Sequence, residues 1–419
     1  LSSFQNVKTT AQNSNINFSI ISLYLTWELQ ADDKLIDAFI DSVYAKNSVP
    51  LIAWEPWLTS NNTDSIAKKH VFDMITEGYF DRYILNISEK FKSFQKPIFL
   101  RFAHEFDNSF YPWYVDKNES LKFKSAWIHV YEIFKRNNAQ NVIWVWNPWS
   151  PDAVETFYPG QEYVDWIGLD ILNYNKYSKE GKTVSFDSLY VPFRKKIMNL
   201  PETPVMLAEL GSLGNSKEKG EWLQNAMKSI ENKYHEVKSV IFFSSKFDNN
   251  HPYGIESDVN LDWSLPEKTD LADMIKIKHA PDYIFTNIPD IKLADEIGVS
   301  KSPMPDELKN TIGINLKKGH DWRKDYHVLS RKNLISDFTK IKDLGVNTVK
   351  YQGNSIYNYN VLNISKDFGL KISYGFWIPS EINFINDSIE NQRLKRQILD
   401  EVEKNKDKAN ITSWAIQND

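Results

Sequence analysis

At 419 residues with a formal net charge of −5 and no cysteine, the chain exceeds what a single hydrophobic core fills, roughly 250 to 300 residues, and two domains are expected. Acidic and basic residues are mixed throughout, with no basic stripe to condense on a phosphate backbone, so no nucleic-acid partner is expected. Disulfides and thiolate metal sites are excluded, and no apolar run approaches the ~20 residues that cross a bilayer. Any membrane association would come through parts of the chain not present here. The start at Leu1 fits a processed product or a piece of a longer chain, and the second is the expectation.

Between residues 16 and 265, short β-branched or aromatic runs alternate with amphipathic stretches, the pattern of repeated βα units around a parallel sheet. Seven strands are predicted: Phe18–Leu25, Pro50–Trp54, Pro97–Phe102, Val142–Trp146, Val164–Leu169, Val205–Ala208 and Val240–Phe243. The helix after the first has Leu35, Ile36, Phe39, Ile40 and Val43 on one face, and that after the third has Phe123, Trp127, Val130, Tyr131 and Phe134. A closed barrel of this kind needs eight strands. The expected fold is therefore an α/β (β/α)8 barrel (a TIM barrel) whose first strand is missing, placed just upstream of Leu1.

Residues 266–310 have mixed charge, several prolines and no sustained period, and read as a linker or docking segment. A second βα series follows over 311–419, with strands at Ile312–Leu316, Thr348–Tyr351, Lys371–Trp377 and Ile411–Ile416. Its first helix carries Leu334, Phe338 and Ile341 on one face and ends at Gly345. The domains expected are thus 1–265, 266–310 and 311–419, the last a partial barrel. Open sheet edges there would leave Ile314, Val349, Ile372 and Trp414 short of packing partners.

In such a barrel, chemistry sits at the C-terminal strand ends. The acidic residues near those ends are Glu28, Glu55, Glu105, Asp170, Glu209 and Asp248. With the missing strand restored, Glu105 follows strand 4 and Glu209 follows strand 7, facing one another across the mouth. Two facing carboxyl groups are what hydrolysis of a glycosidic bond requires, roughly 5 to 5.5 Å apart for retention. Arg101 and His104 put a cation and an imidazole beside Glu105. No His/Asp/Glu spacing suggests a catalytic metal and no glycine-rich loop a nucleotide, so no cofactor is expected.

The run Pro97-Ile-Phe-Leu-Arg-Phe-Ala-His-Glu105, continued to Tyr111-Pro112-Trp113, resembles the acid/base signature of glycoside hydrolase family 26, which holds β-mannanases and β-1,3-1,4-glucanases. The resemblance extends through Trp54-Glu55-Pro56-Trp57, Val142 to Asn147-Pro148, Tyr163 to Gly168, Pro204 to Glu209 and Asp262-Trp263, about residues 1–265 in all. It implies Glu105 as acid/base and Glu209 as nucleophile, with His104 orienting the acid and Arg101 lying beneath the site. It also implies substrate contacts from Trp113, Trp57 and Asn147, and Tyr174 as the candidate for a tyrosine supporting the nucleophile.

His104 and Arg101 carry two readings, a hydrogen-bonding role beneath the cleft or direct substrate contact. Trp57, Trp113, Trp146 and Trp149 are divided between cleft and core. Glu55, Asp170 and Asp248 are read as structural or peripheral. The family's Met-Asn-Gly after the catalytic acid is replaced by Phe106-Asp107-Asn108, a departure that bears on subsites. The second series resembles the first half of another barrel of the same clan, in the manner of the family 2 hydrolases, through Gly313 to Asn315, Asp343 to Val349, Phe368 to Leu370 and Trp414 to Asp419. Asp419 stands where that clan has the acid/base glutamate, and no activity is assigned to this part.

The function expected is a retaining endo-β-glycanase cutting β-1,4 bonds in mixed-linkage β-glucan or β-mannan, with a β-linked polysaccharide or oligosaccharide as partner and an extracytoplasmic or cell-surface setting. The alternative is a catalytically weak polysaccharide-binding or guiding domain of a larger polysaccharide-synthesising protein.

Overall fold

The computed structural model describes residues 18–27, 33–57, 69–178, 181–201, 203–234, 236–248, 259–266, 310–316, 330–353, 358–378 and 388–417. The chain divides into two compact units, Leu1–Lys276 and Ile277–Asp419. Only the two end residues of the expected linker 266–310 fall within the described residues.

Among its described residues the first unit holds seven parallel strands, β1 (Ile20–Thr26), β2 (Val49–Glu55), β3 (Ile98–Phe102), β4 (Val142–Trp146), β5 (Trp166–Asn173), β6 (Val205–Ser212) and β7 (Val237–Phe242), hydrogen-bonded in sequence order. This is the strand order of a (β/α)8 barrel, of which the described residues supply seven strands. The sheet curls until β7 lies close to β1, and no hydrogen-bonded pairing joins them among the described residues. Strands β2, β3, β4 and β6 are buried along their whole length, as expected where helices cover one face and the barrel interior fills the other. On β1 the cover is thinner, and Tyr24 remains 39% exposed.

The helices of six or more residues among the described ones are α1 (Asp33–Tyr44), α2 (Val71–Thr76), α3 (Asp81–Ser93), α4 (Ser120–Arg136), α5 (Phe186–Ile197) and α6 (Ser216–Lys233). In α4 the expected face is buried, with Phe123, Trp127, Val130, Tyr131 and Phe134 all inside. Helix α6 starts on a reciprocal cap in which Asn215 accepts from the Glu218 amide and Glu218 accepts from the Asn215 amide. Strand β4 has the bounds expected, whereas β5 and β6 continue past the expected ends to Asn173 and Ser212. The continuation has a cause: Ile171, Leu172 and Asn173 pair in register with Leu210, Gly211 and Ser212. It takes Asp170 and Glu209 into the strands themselves, side by side across a register shift between Leu169 and Asp170.

The second unit is a four-stranded parallel sheet in the order β11 (Ile411–Gln417), β10 (Lys371–Trp377), β9 (Thr348–Gln352), β8 (Gly313–Leu316). Its helices are α7 (Arg331–Asp343), α8 (Asn358–Asp367) and α9 (Ser388–Asn405). The expected shortage of packing partners applies unevenly. Ile314 on the edge strand is 39% exposed, but Val349 and Ile372 on the inner strands are wholly buried, together with Leu334, Phe338, Val361 and Ile364. One polar cluster here is joined internally: Glu401 accepts from Asn358, Tyr374 and Asn405. Asp419 lies outside the described residues.

Candidate active site

Strand β3 places the site's cation by alternation. Ile98, Leu100 and Phe102 turn toward the helices, where Phe102 meets Trp127; Phe99 and Arg101 turn inward, where Phe99 meets Trp166. Arg101 is therefore at the barrel axis with no exposure, and its guanidinium joins three strands. Nη2 donates to Oε1 of Glu209 at 2.8 Å, and Nη1 donates to Asp170 at 3.0 Å and to Oδ1 of Asn147 at 3.2 Å. The Asn147 amide returns a hydrogen bond to Asp170 at 3.1 Å. Gly168 makes room for that amide, since a Cβ there would stand 2.8 Å from Asn147 Oδ1.

After β3 the chain turns sharply, with Ala103 at φ 44° and Glu105 at φ 50°, a region that costs an L-residue roughly 1 to 3 kcal/mol. Backbone hydrogen bonds to the adjoining strands hold the turn: the Ala103 amide donates to Trp54 O and the Glu105 amide to Asn147 O. The Glu105 carboxyl is 8% exposed and accepts from Asn108 Nδ2 at 2.8 Å. Glu209, also 8% exposed, accepts at the same Oε1 from Arg101 and from the Tyr24 hydroxyl, the latter at 2.5 Å. Glu105, Asp170 and Glu209 open together into one pocket of about 390 Å³, walled also by Tyr111, Trp149 and Tyr174.

Four carboxyl groups and one guanidinium share this buried region, and the charges cannot all balance. Burial pushes the Glu105 carboxyl well above the usual carboxylate range, the charges of Asp170 and Glu209 push the same way, and the Asn108 hydrogen bond opposes them. Burial and then Glu209 raise Asp170 to about 7 against the pull of Arg101. Burial likewise raises Glu55 to about 7, opposed by Arg101 and a hydrogen bond from Trp57. Burial and the neighbouring Arg101 hold the His104 imidazole well below its ordinary value, so it is neutral. The site thus offers on one wall a carboxyl, Glu105, whose burial favours its protonated form, and on the other a carboxylic oxygen of Glu209 that accepts from two aimed donors.

Arg101 and His104, 0 and 1% exposed, lie beneath the pocket, which is one of the two readings given for them, whereas Asn147 and Trp113, expected as substrate contacts, are buried there as well. His104 makes no hydrogen bond to Glu105: its Nε2 lies 3.3 Å from the Tyr111 hydroxyl and 3.9 Å from Glu55. Trp113 is screened because Tyr111 stacks on it at 4.4 Å, and its indole N–H donates to His104 O. Trp57 is half-buried and edge-on to Trp113. Trp146 is core, packed on Phe106 and Tyr158. Tyr174 does face the pocket, with Trp263 against its ring, but the hydroxyl bonded to Glu209 comes from Tyr24. Asp248 accepts from Trp263 Nε1 at 2.8 Å, and Glu28 lies outside the described residues.

Asp170 and Tyr24 are the functional-site residues that the sequence reading passed over. For Asp170 the available signal was an acid inside an otherwise apolar strand. Tyr24 had none, since its role depends on how far the sheet curls. Among the described residues no cluster of His, Asp or Glu is arranged to hold a metal.

The model of glycosyl hydrolase family 26 matches residues 40–246. Endoglucanase H of Acetivibrio thermocellus is 27% identical over 248 residues, 57% of this chain and 26% of that protein. Beta-1,3-xylanase TXYA of a Vibrio species is 32% identical over 101 residues, 23% of this chain and 21% of that protein. The match therefore spans about a quarter or less of these relatives' length. A solved GH26 β-mannanase of Bacteroides ovatus, at 16% identity, covers 64% of this chain with 80% of its own and a TM-score of 0.44. The matched segment, residues 40–246, is a glycosyl hydrolase family 26 segment and contains both Glu105 and Glu209.

Proposed function

We propose that the first unit is a retaining endo-β-glycanase in which Glu105 is the acid/base and Glu209 the nucleophile. The supporting observation is the asymmetry of the two carboxyls in one pocket. Glu209 accepts from Arg101 and Tyr24 at a single oxygen, while the pKa of Glu105 is raised by burial and by its acidic neighbours. Two carboxyls whose surroundings differ in this way divide into acid and nucleophile. Protonated Glu105 gives its proton to the glycosidic oxygen as the bond to the anomeric carbon breaks. Glu209 attacks that carbon and forms an ester, and the leaving sugar departs as an alcohol. Glu105, now a carboxylate, then takes a proton from the water that attacks the same carbon, and Glu209 is released.

The proposed substrate is a β-1,4-linked backbone in mixed-linkage glucan or mannan. The names of the relatives, an endoglucanase and a β-1,3-xylanase, support a glycan backbone and add β-1,3-xylan to the panel. Incubation with mannan, lichenan, soluble cellulose and β-1,3-xylan, with the anomeric form of the first product read by NMR, tests the reading. Turnover with retention supports it. Inversion removes Glu209 as nucleophile, and affinity without products favours the polysaccharide-binding alternative.

A further inference from the structure

Every described tryptophan of the barrel packs against at least one aromatic ring, with a single exception. Trp27 and Trp54 share a contact, as do Trp57 and Trp113, and Trp127 and Trp144. Trp146, Trp166, Trp222 and Trp263 each meet a Phe or Tyr. Trp149 touches no described ring, is half-buried, and lines the pocket that holds Glu105 and Glu209. A large indole with an uncommitted face at a pocket wall is a stacking surface for a flat apolar face such as that of a pyranose ring.

The loop that carries this indole is tied to the acid by one side chain. Asp107 Oδ1 accepts from the Trp149 amide at 2.7 Å, and Oδ2 accepts from the Ser150 amide at 2.9 Å and the Ser150 hydroxyl at 2.6 Å. Asp107 is two residues beyond Glu105, and the Glu105 amide itself donates to Asn147 O at 2.8 Å. The segments 105–107 and 147–150 thus form one clamped unit, in which the acid and the indole keep a fixed separation.

We infer that Trp149 is the platform for the sugar on the leaving side of the scissile bond, and that Asp107 is the positioning residue that registers this platform with Glu105. The inference rests on the hydrolase reading above. The side follows from chemistry: the acid must stand beside the oxygen that leaves with its sugar, and Trp149 is held to the acid's own loop. Its consequence is selective, because a substrate with no sugar on the leaving side gains nothing from the platform.

The test compares kcat/KM on two substrates with the same glycone, a β-cellobiosyl fluoride, whose leaving group has no ring to stack, and a mixed-linkage glucan tetrasaccharide, with the matching mannose pair run in parallel. Trp149→Ala and Asp107→Ala should lower the oligosaccharide-to-fluoride ratio at least tenfold. Trp149→Phe, which keeps a ring, should recover part of the ratio. Equal loss on both substrates, the result of a merely structural role, overturns the inference. Calorimetric titration of Glu209→Ala with cellotetraose and mannotetraose, with and without Trp149→Ala, separates the two readings. A tenfold weaker affinity in the double variant supports the platform even where the parent chain forms no product, an outcome that defeats the hydrolase reading alone. Products from the parent chain with affinity independent of Trp149 defeat the platform alone, and neither products nor binding defeats both.

Discussion

Arg101 on β3 reaches Glu209 on β6 across the barrel interior, with Nη2 at 2.8 Å from Oε1, and is itself without solvent exposure. A guanidinium buried among Asp170, Glu209 and Asn147 cannot be removed without stranding its partners. Arg101→Met should therefore destabilise the first unit by about 3 to 5 kcal/mol, the cost of breaking a buried pair from one side. Arg101→Lys keeps the charge but not the two-ended fork, and should lose activity by more than its fall in stability explains. Urea unfolding beside steady-state kinetics checks both.

The Tyr24 hydroxyl is the second donor on Glu209 Oε1. Tyr24→Phe removes one hydrogen bond to a charged group, worth roughly 1.5 to 3 kcal/mol. We expect kcat to fall about tenfold to a hundredfold, with KM moving far less. An unchanged kcat would show that Arg101 alone orients the carboxylate.

Removing each glutamate should give a different signature. Glu209→Ala should abolish turnover and leave sugar affinity in place, whereas Glu105→Ala should spare substrates whose leaving group needs no protonation. Equal losses of Glu105→Ala on a dinitrophenyl glycoside and on natural substrate would contradict the acid role. Because Glu105 and Glu209 interact, a pH–rate profile reports the pair rather than either residue.

Stability should fall as pH rises from 4.5 toward 7. Glu55 rises from 4.5 to about 7 on folding, and Asp170 from 3.8 to about 7. Below the lower values both folded and unfolded chains are protonated. In the window between, the unfolded chain has released protons that the folded one retains, so each pH unit costs the native state about 1.4 kcal/mol per such group. Glu55→Gln should flatten this slope, as read by chemical unfolding at a series of pH values. A parallel slope in the variant would show that Glu55 ionises normally.

Much of the architecture was legible in the chain. The alternation of apolar runs and amphipathic stretches located all seven barrel strands, and the signature around Glu105 drew attention to β3, β4 and β6. What escaped depended on contacts between distant segments. The expected end of β5 at Leu169 put Asp170 on a loop, but pairing with β6 keeps the strand going to Asn173. Trp113 carries the same motif signal whether it faces substrate or core, and only the stacking of Tyr111 decides that it is covered. Tyr24 sits mid-strand in an apolar run, and nothing local says that its hydroxyl will meet a carboxylate 185 residues away.

On the role proposed for Glu105, the backbone there sets activity against stability at a single position. A left-handed φ of 50° is one that glycine adopts freely and glutamate does not. Selection for a tougher fold therefore pulls this residue toward Gly, and only selection for chemistry keeps a carboxyl there. Glu105→Gly should melt higher than Glu105→Ala, although both lack the acid, because alanine keeps the Cβ that the turn disfavours and glycine does not. Variants recovered in a screen for thermal survival alone should accordingly gather at position 105 and be inactive, whereas a screen that also demands product should never return one.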